Sequence, residues 1–127
     1  MDSLILKATH NSPDVKFNAD LGTLEISGRS IPEHANMYYE NLIQWVKDYV
    51  LTNPPKTEIS IKLDYLNSSS HKYLIDLLEK LEPLHSSGLS IIINWYFEED
   101  DDEIKETGME CSKLIKIPLK LIPVPVD

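Results

Sequence analysis

A cluster of three serines has the clearest chemical potential in this sequence. Ser68, Ser69 and Ser70 follow Asn67 directly after an alternating apolar run. Asn and Ser are good helix caps because their side-chain oxygens accept hydrogen bonds from the unpaired N–H groups of a first turn. Three serines exceed what one cap needs. The cluster therefore predicts either capping alone or a site at which a phosphate is added to a hydroxyl.

A phosphate at this position would act on docking rather than on folding. A phosphoserine brings about -1.5 to -2 charges, and an exposed helix N-terminus stabilises such an anion by only about 0.3–1 kcal/mol. That interaction is too small to refold a domain. The same charge inside a partner-binding face would weaken binding, because it adds repulsion and must lose its hydration when the interface closes.

An unbroken run of six carboxylates occupies residues 98–103. Such runs are usually exposed to solvent. The first expectation is therefore an acidic surface whose carboxylates also cap the helix that follows. A second expectation is a docking patch for a basic partner, with Glu99, Asp100 and Asp101 as contacts. A divalent-cation site, or a small enzyme that uses the run, is a third and weaker alternative, because the spacing lacks the glycine and alternating ligands of an EF-hand loop.

Two basic side chains near these segments, Arg29 and His71, are further candidates for function. Arg29 is either a plain surface charge or a bidentate contact for a phosphate or a partner carboxylate. His71 lies close to Ser68 in sequence, but no Gly-x-Ser-x-Gly elbow is present, and the other histidines match no metal-ligand spacing. No glycine-rich phosphate loop occurs either. The sequence thus predicts no catalytic residue, no cofactor and no metal.

The composition predicts one acidic globular domain over residues 1–127. The chain has 12 basic and 21 acidic residues and a formal charge of -9, which argues against nucleic acid and anionic membranes as partners. No apolar stretch approaches the roughly 20 residues that span a bilayer. Cys111 is the single cysteine, which excludes an intrachain disulfide and favours a reducing, cytoplasmic location.

The first half of the chain predicts an edge strand, a hairpin and a helix. Residues 4–8 form the edge strand, and residues 15–28 form two alternating runs around a glycine-containing turn. Ser30 and Glu33 have capping-box spacing and predict the start of the helix, which Pro54 and Pro55 end. Its apolar face is expected to contain Tyr38, Leu42, Trp45, Val46 and Tyr49.

The second half predicts alternating strands and helices. Residues 57–66 alternate as a strand, with Tyr65 on its apolar face, and residues 89–97 read as a central strand covered on both faces. Asp100 and Glu103 are expected to cap a third helix with Leu114 on its buried side, before a last strand at 117–122. The second helix, between these strands, has a leucine stripe at Leu74, Leu77, Leu78, Leu81 and Leu84. This order predicts an α/β fold with helices packed on a sheet.

Three passages resemble the SiaC family of bacterial regulatory phosphoproteins. They are Leu-Glu-Ile-Ser-Gly-Arg-Ser-Ile-Pro-Glu at 24–33, Leu-Asp-Tyr-Leu-Asn-Ser-Ser-Ser at 63–70, and Trp-Tyr-Phe followed by the acidic run at 95–103. The resemblance implies a SpoIIAA-like (STAS-like) mixed sheet of about five to six strands with three main helices. It also implies a non-catalytic protein that switches partner binding.

The resemblance further implies phosphorylation in the strand-to-helix turn by a protein kinase and dephosphorylation by a PP2C-type phosphatase. The output partner would be a diguanylate cyclase, which links the switch to cyclic di-GMP and biofilm formation. The family's acceptor threonine falls on Ser68, with Ser69 as the alternative. Arg29, Asn67, Ser69, Ser70, His71, Glu99, Asp100 and Asp101 are the expected partner contacts. An anti-sigma-factor antagonist, with the same fold and acceptor site but an anti-sigma kinase as partner, is the alternative within signalling.

Overall fold

The computed structural model describes residues 1–126 as a single six-stranded sheet with four helices. The elements in chain order are β1 (Leu4–Leu6), β2 (Asp14–Asn18), β3 (Thr23–Ser30), α1 (Ala35–Val50), β4 (Lys56–Leu66), α2 (Ser68–Lys80), α3 (Glu82–Ser86), β5 (Ser90–Glu98), α4 (Asp102–Leu114) and β6 (Leu119–Val124). The spatial order of the strands is the same as their order in the chain.

The sheet is mixed, with an antiparallel half and a parallel half. β1, β2 and β3 pair antiparallel as a meander. β3, β4, β5 and β6 pair parallel, and helices form each crossover between them. Three helices have 13 to 16 residues, and α3 is a single short turn that follows α2 after Leu81. The predicted α/β fold with a mixed sheet and three main helices is confirmed.

All the helices pack on one face of the sheet, and the core lies between the two layers. Along β2, β3, β4 and β5 every second side chain is buried against the helices, as the period of a β-strand requires. Large side chains among them with almost no exposed surface include Phe17, Leu24, Ile26, Ile59, Ile61 and Trp95. α4 approaches β5 closely because it has glycine at position 108, where a Cβ atom would lie 2.6 Å from the Trp95 ring.

The opposite face of the sheet is not covered by any element of residues 1–126, which corrects the prediction for β5. β5 lies next to the edge strand β6 and is neither central nor covered on both faces. Ile92 on its open side is 36% exposed. Asn94, also on that side, donates to Glu58 Oε1 at 2.8 Å. The long apolar run of β5 therefore covers one buried face and places Ile92 on the open one.

The predicted start of α1 is wrong. Ser30 is the last residue of β3, and the helix begins at Ala35 after His34, whose side chain makes no capping hydrogen bond. The reason is long-range, because the Ser30 carbonyl accepts the backbone N–H of Asn67 at 3.1 Å and so remains in the sheet. The buried face of α1 contains Leu42, Val46 and Tyr49, as predicted, together with Ala35 and Tyr39. The other two predicted residues, Tyr38 and Trp45, are partly buried against the core.

Two predicted core positions and one predicted cap are also wrong. A register shift between β3 and β4 leaves Tyr65 on the open side, 49% exposed, and turns Leu66 toward the core. Leu114 at the end of α4 is 59% exposed. α4 is capped by Asp101, not Asp100, with its side chain accepting the N–H of Ile104 at 3.1 Å.

No helix within residues 1–126 combines the length and the hydrophobicity that a membrane crossing requires.

Candidate functional site

The predicted site residues lie along one edge of the sheet. Because β3, β4 and β5 are parallel, their carboxyl ends meet at the same edge. Arg29 is next to the last residue of β3, the serines follow β4, and residues 99–101 follow β5. We call this the carboxyl edge. It presents, in spatial order, one cation, the serine turn and the acidic turn.

The serine turn is the first turn of α2. Asn67 is the N-cap, and its Oδ1 accepts the N–H of Ser70 at 2.8 Å, while its carbonyl accepts the N–H of His71 at 2.9 Å. Ser68 and Ser69 are exposed, whereas Ser70 is completely buried. Successive helix residues are rotated by about 100°. Ser68 and Ser69 therefore lie about 100° apart on the exposed side of α2, away from the buried face of Ser70, Leu74, Leu77 and Leu78.

A buried cluster of hydroxyls lies beneath this turn. It consists of Ser30 at the end of β3, Tyr39 on α1 and Ser70 on α2, each with no exposed surface. Ser30 Oγ and the Tyr39 hydroxyl are hydrogen-bonded at 2.6 Å. Burial raises the pKa of Tyr39, and the Ser30 and Ser70 hydroxyls oppose that rise. The Ser70 hydroxyl thus lies beside the phenol, although within residues 1–126 it completes no hydrogen bond.

Arg29 is the cation that the strand register places beside the serine turn, and Lys72, four residues after Ser68, is an exposed cation on α2 itself. Arg29 is exposed and pairs in register with Tyr65 on β4, two residues before Asn67. In the part of the chain that the structure describes, Arg29 has neither an ion pair nor a side-chain hydrogen bond, since the one salt bridge joins Lys16 and Asp14 at 4.0 Å. Its guanidinium can therefore bind an added phosphate or a partner carboxylate.

The acidic run is divided among three structural roles. Glu98 ends β5, residues 99–101 form the turn, and Asp102 and Glu103 begin α4, where carboxylates stabilise the helix N-terminus. Between this turn and β4 lies an open cavity of about 410 Å³. Its lining includes Asp64, Tyr96, Glu98, Asp101 and Val124. The acidic side of the carboxyl edge thus offers carboxylates beside apolar surface.

Within residues 1–126 no group of three or more His, Cys, Asp or Glu side chains is placed to hold a metal ion. His71 is half-buried, and its Nε2 atom is buried with no hydrogen-bond partner among those residues.

The sequence patterns missed Ser30 and Tyr39 as parts of the site. The signal for Tyr39 is nevertheless present, because positions 39, 42, 46 and 49 repeat at helical spacing as well as the predicted set does. Ser30 was assigned to a local cap, and its pairing with Tyr39 could not be read from spacing alone. Ser70, predicted as a partner contact, is buried, so its side chain is not available to a partner in this conformation.

Comparison with known families gives a match over nearly the whole chain. The family model described as SiaC family regulatory phosphoprotein matches residues 6–124. The chain is also 26% identical over 121 residues to an uncharacterised protein of Pseudomonas aeruginosa strain UCBPP-PA14, covering 95% of this chain and 96% of that protein.

Solved structures of SiaC from Pseudomonas aeruginosa share this fold. Apo-SiaC superposes with a TM-score of 0.87 at 26% identity, over 96% of this chain and 99% of that one. SiaC in a complex in which it is the activator of the diguanylate cyclase SiaD gives a TM-score of 0.89 at 25% identity, over 95% and 99% of the two chains.

Proposed function

The chain belongs to the SiaC family of regulatory phosphoproteins, and from this premise we propose that it is a non-catalytic regulator whose partner binding is switched by phosphorylation of Ser68. The whole chain, residues 1–127, acts as one regulatory domain. The observation that carries the proposal is the serine turn, where two exposed hydroxyls stand at the start of a long helix while the third is buried.

We place the acceptor on Ser68 rather than Ser69 because the family's acceptor threonine falls on Ser68. Both side chains are exposed, and they lie about 100° apart around α2. A kinase must enclose the hydroxyl and its flanking backbone in its active site. A kinase docked on the carboxyl edge therefore meets the two hydroxyls from different directions and can distinguish them.

A phosphate on Ser68 would change the charge at the centre of the carboxyl edge. The turn lies between an exposed guanidinium on one strand end and the acidic turn on another. An added dianion would be held by Arg29 or the helix N-terminus on one side and repelled by carboxylates on the other. A partner docked over this edge would have to desolvate the phosphate, which weakens binding.

The proposed output partner is a diguanylate cyclase. Support comes from SiaC of Pseudomonas aeruginosa, which was solved in complex with the cyclase SiaD as its activator. The unphosphorylated chain binds and promotes the cyclase, and a protein kinase and a PP2C-type phosphatase set the phosphorylation state in the cytoplasm. The partner contacts on this edge are Arg29, Asn67, Ser69, His71, Glu99, Asp100 and Asp101.

Phosphosite mapping tests the first half of the proposal. The chain is incubated with its cognate kinase and ATP, and the modified peptide is identified by mass spectrometry. We expect one phosphate on Ser68, lost in Ser68→Ala and retained in Ser69→Ala. A phosphate on neither serine would contradict the proposal, and a phosphate on Ser69 alone would move the acceptor by one residue.

Calorimetry with the cyclase tests the second half. Ser68→Asp is expected to weaken binding at least tenfold, which corresponds to about 1.4 kcal/mol, while Ser68→Ala binds as the wild type does. The matched control is Ser86→Asp, which places the same charge on an exposed serine at the far end of the α2–α3 segment. Equal weakening by both Asp variants would mean that net charge, not the serine turn, controls binding. A diguanylate cyclase that binds neither form would favour the anti-sigma-factor antagonist instead.

A further inference from the structure

A chain of hydrogen bonds connects the buried hydroxyl cluster to the serine turn. The Ser30 carbonyl accepts the Asn67 N–H at 3.1 Å, and Asn67 Oδ1 accepts the Ser70 N–H at 2.8 Å. The Ser70 hydroxyl lies beside Tyr39, whose phenol bonds back to Ser30 Oγ at 2.6 Å. The end of β3, the second turn of α1 and the first turn of α2 are therefore connected at one point.

Tyr39 touches α2 at two places. Its hydroxyl faces Ser70, and its ring stacks on Tyr73 with the centroids 6.1 Å apart and the planes 13° from parallel. Ser70 and Tyr73 are three residues apart, so they occupy nearly the same side of the helix one turn from each other. Contacts at two heights on one side of a helix fix its rotation about its own axis.

The hydroxyl of Tyr39 also has unused bonding capacity. A phenol can donate one hydrogen bond and accept another, and the bond to Ser30 occupies one of these. The Ser70 hydroxyl is completely buried and makes no hydrogen bond within residues 1–126. Two complementary groups thus lie side by side in the core, close enough for the Ser70 hydroxyl to lower the pKa of the phenol.

We propose that Tyr39 is a positioning residue that sets the rotation of the first turn of α2 through Ser70 and Tyr73, and so presents Ser68 rather than Ser69 to the kinase. The inference rests on the proposed function of the serine turn and adds to it the residue that selects the acceptor. Ser68 and Ser69 are both exposed but lie about 100° apart around the helix, so a fixed rotation presents them to the kinase from different directions. Without this anchor the first turn rotates and frays, and the kinase distinguishes less between the two hydroxyls.

The chain offers a matched control at the other end of α1. Tyr49 is also completely buried, and its hydroxyl is bonded to Thr57 Oγ1 at 2.7 Å. Tyr39→Phe and Tyr49→Phe therefore remove the same atom and the same kind of buried bond from one helix. They differ in place, because Tyr49 lies beside Gly22 near the amino end of the parallel strands.

The test compares both variants in the full chain by two measurements. After incubation with the cognate kinase, the ratio of phosphate on Ser68 to phosphate on Ser69 is measured by mass spectrometry. Amide hydrogen exchange of Ser70 and His71, whose N–H groups are bonded to Asn67, is measured by NMR without any kinase. We expect Tyr39→Phe to raise the Ser69 share at least threefold and to speed exchange in the first turn about tenfold, whereas Tyr49→Phe changes neither.

Unchanged exchange and an unchanged site ratio in Tyr39→Phe would overturn the inference. A wild-type chain phosphorylated on neither serine would overturn the proposed function instead, and the exchange comparison would still decide whether Tyr39 positions the turn. Ser70→Ala provides the second variant if Tyr39→Phe does not fold. It leaves the bond between Tyr39 and Ser30 in place, and the same changes in site ratio and exchange are expected from it.

Discussion

Each end of α1 has a buried pair of hydrogen-bonded hydroxyls, and the two ends differ in the residues that surround the pair. At each end a buried tyrosine hydroxyl is bonded to a buried serine or threonine hydroxyl, at 2.6 Å for Tyr39 with Ser30 and 2.7 Å for Tyr49 with Thr57. At the Tyr49 end both hydroxyls have their partner. At the Tyr39 end a third hydroxyl, that of Ser70, is added without a hydrogen bond in the described part of the chain.

The surroundings of the two pairs also differ. The Tyr49 pair lies against the β2–β3 turn, where Gly22 adopts a φ of +68° and its carbonyl accepts the Glu58 N–H at 2.8 Å. The Tyr39 pair lies beneath two exposed serines and beside an exposed arginine. We call the Tyr49 end the structural end, because its hydroxyl pair only stabilises the fold. We call the Tyr39 end the functional end, because its hydroxyl pair also holds the serine turn in place.

The largest expected effect is at the structural end. Gly22→Ala would place a Cβ atom against the Lys56 carbonyl and impose a positive φ on a residue with a side chain. Backbone strain and the steric clash together should lower the free energy of unfolding by roughly 2–5 kcal/mol. Urea denaturation measures this loss.

Gly88→Ala is the control for the steric part of that prediction. Gly88 has a φ of +81°, but a Cβ atom there would meet nothing within 4 Å. We expect it to cost only the backbone term, about 1–2 kcal/mol. If Gly22→Ala and Gly88→Ala lowered the free energy of unfolding equally, the close approach of Gly22 to β4 would contribute little to stability.

A smaller effect is expected at the functional end from Asn67→Ala. Loss of the N-cap bond to Ser70 should lower the free energy of unfolding by about 1 kcal/mol. Because that bond also holds the serine turn, we expect affinity for the cyclase to fall about fivefold. Calorimetry measures the affinity, and urea denaturation measures the stability.

Thr57→Val is the control with a similar cost. It removes the partner of Tyr49 while it keeps the shape of the side chain, and should cost about 1 kcal/mol. It should leave cyclase binding unchanged, because Thr57 lies at the opposite end of the strand from the serine turn. If Thr57→Val weakened binding as much as Asn67→Ala, the two ends would not be functionally distinct.

Features that depend on local sequence were predictable, and the serine turn is the best example. Asn67 caps α2 through a hydrogen bond to Ser70, which is only three residues away in the sequence. The alternating pattern of β4 indicates where that strand ends. The meeting of Arg29, the serines and the acidic turn follows from parallel pairing once the element order is known. These parts of the site need no tertiary information beyond topology.

Features that depend on contacts between distant residues were not predictable. Ser30 has the spacing of a cap with Glu33, yet a bond from Asn67, far along the chain, keeps it in β3. The register shift that exposes Tyr65 arises from the pairing of β3 with β4 and leaves no trace in the alternation of β4. The hydroxyl cluster requires three elements to meet, so pattern analysis of each element alone could not find it.

The smallest effect concerns pH and treats both ends alike. Burial raises the pKa of Tyr39 and Tyr49, so the folded state favours their protonated forms. Their contribution is complete below the unfolded value of about 10 and is lost as pH rises above it toward the folded pKa. Urea denaturation at pH 9 to 11.5 should show stability falling as pH rises, with a shallower fall in Tyr39→Phe and in Tyr49→Phe than in wild type. The raised pKa of Tyr38 and of Cys111 contributes to the fall in all three proteins. If stability falls with pH in the variants as steeply as in wild type, burial of these two hydroxyls contributes nothing measurable to the pH dependence. If both variants show an equally shallow fall, the two tyrosines are equivalent, and the two ends of α1 differ only in the exposed serines above Tyr39.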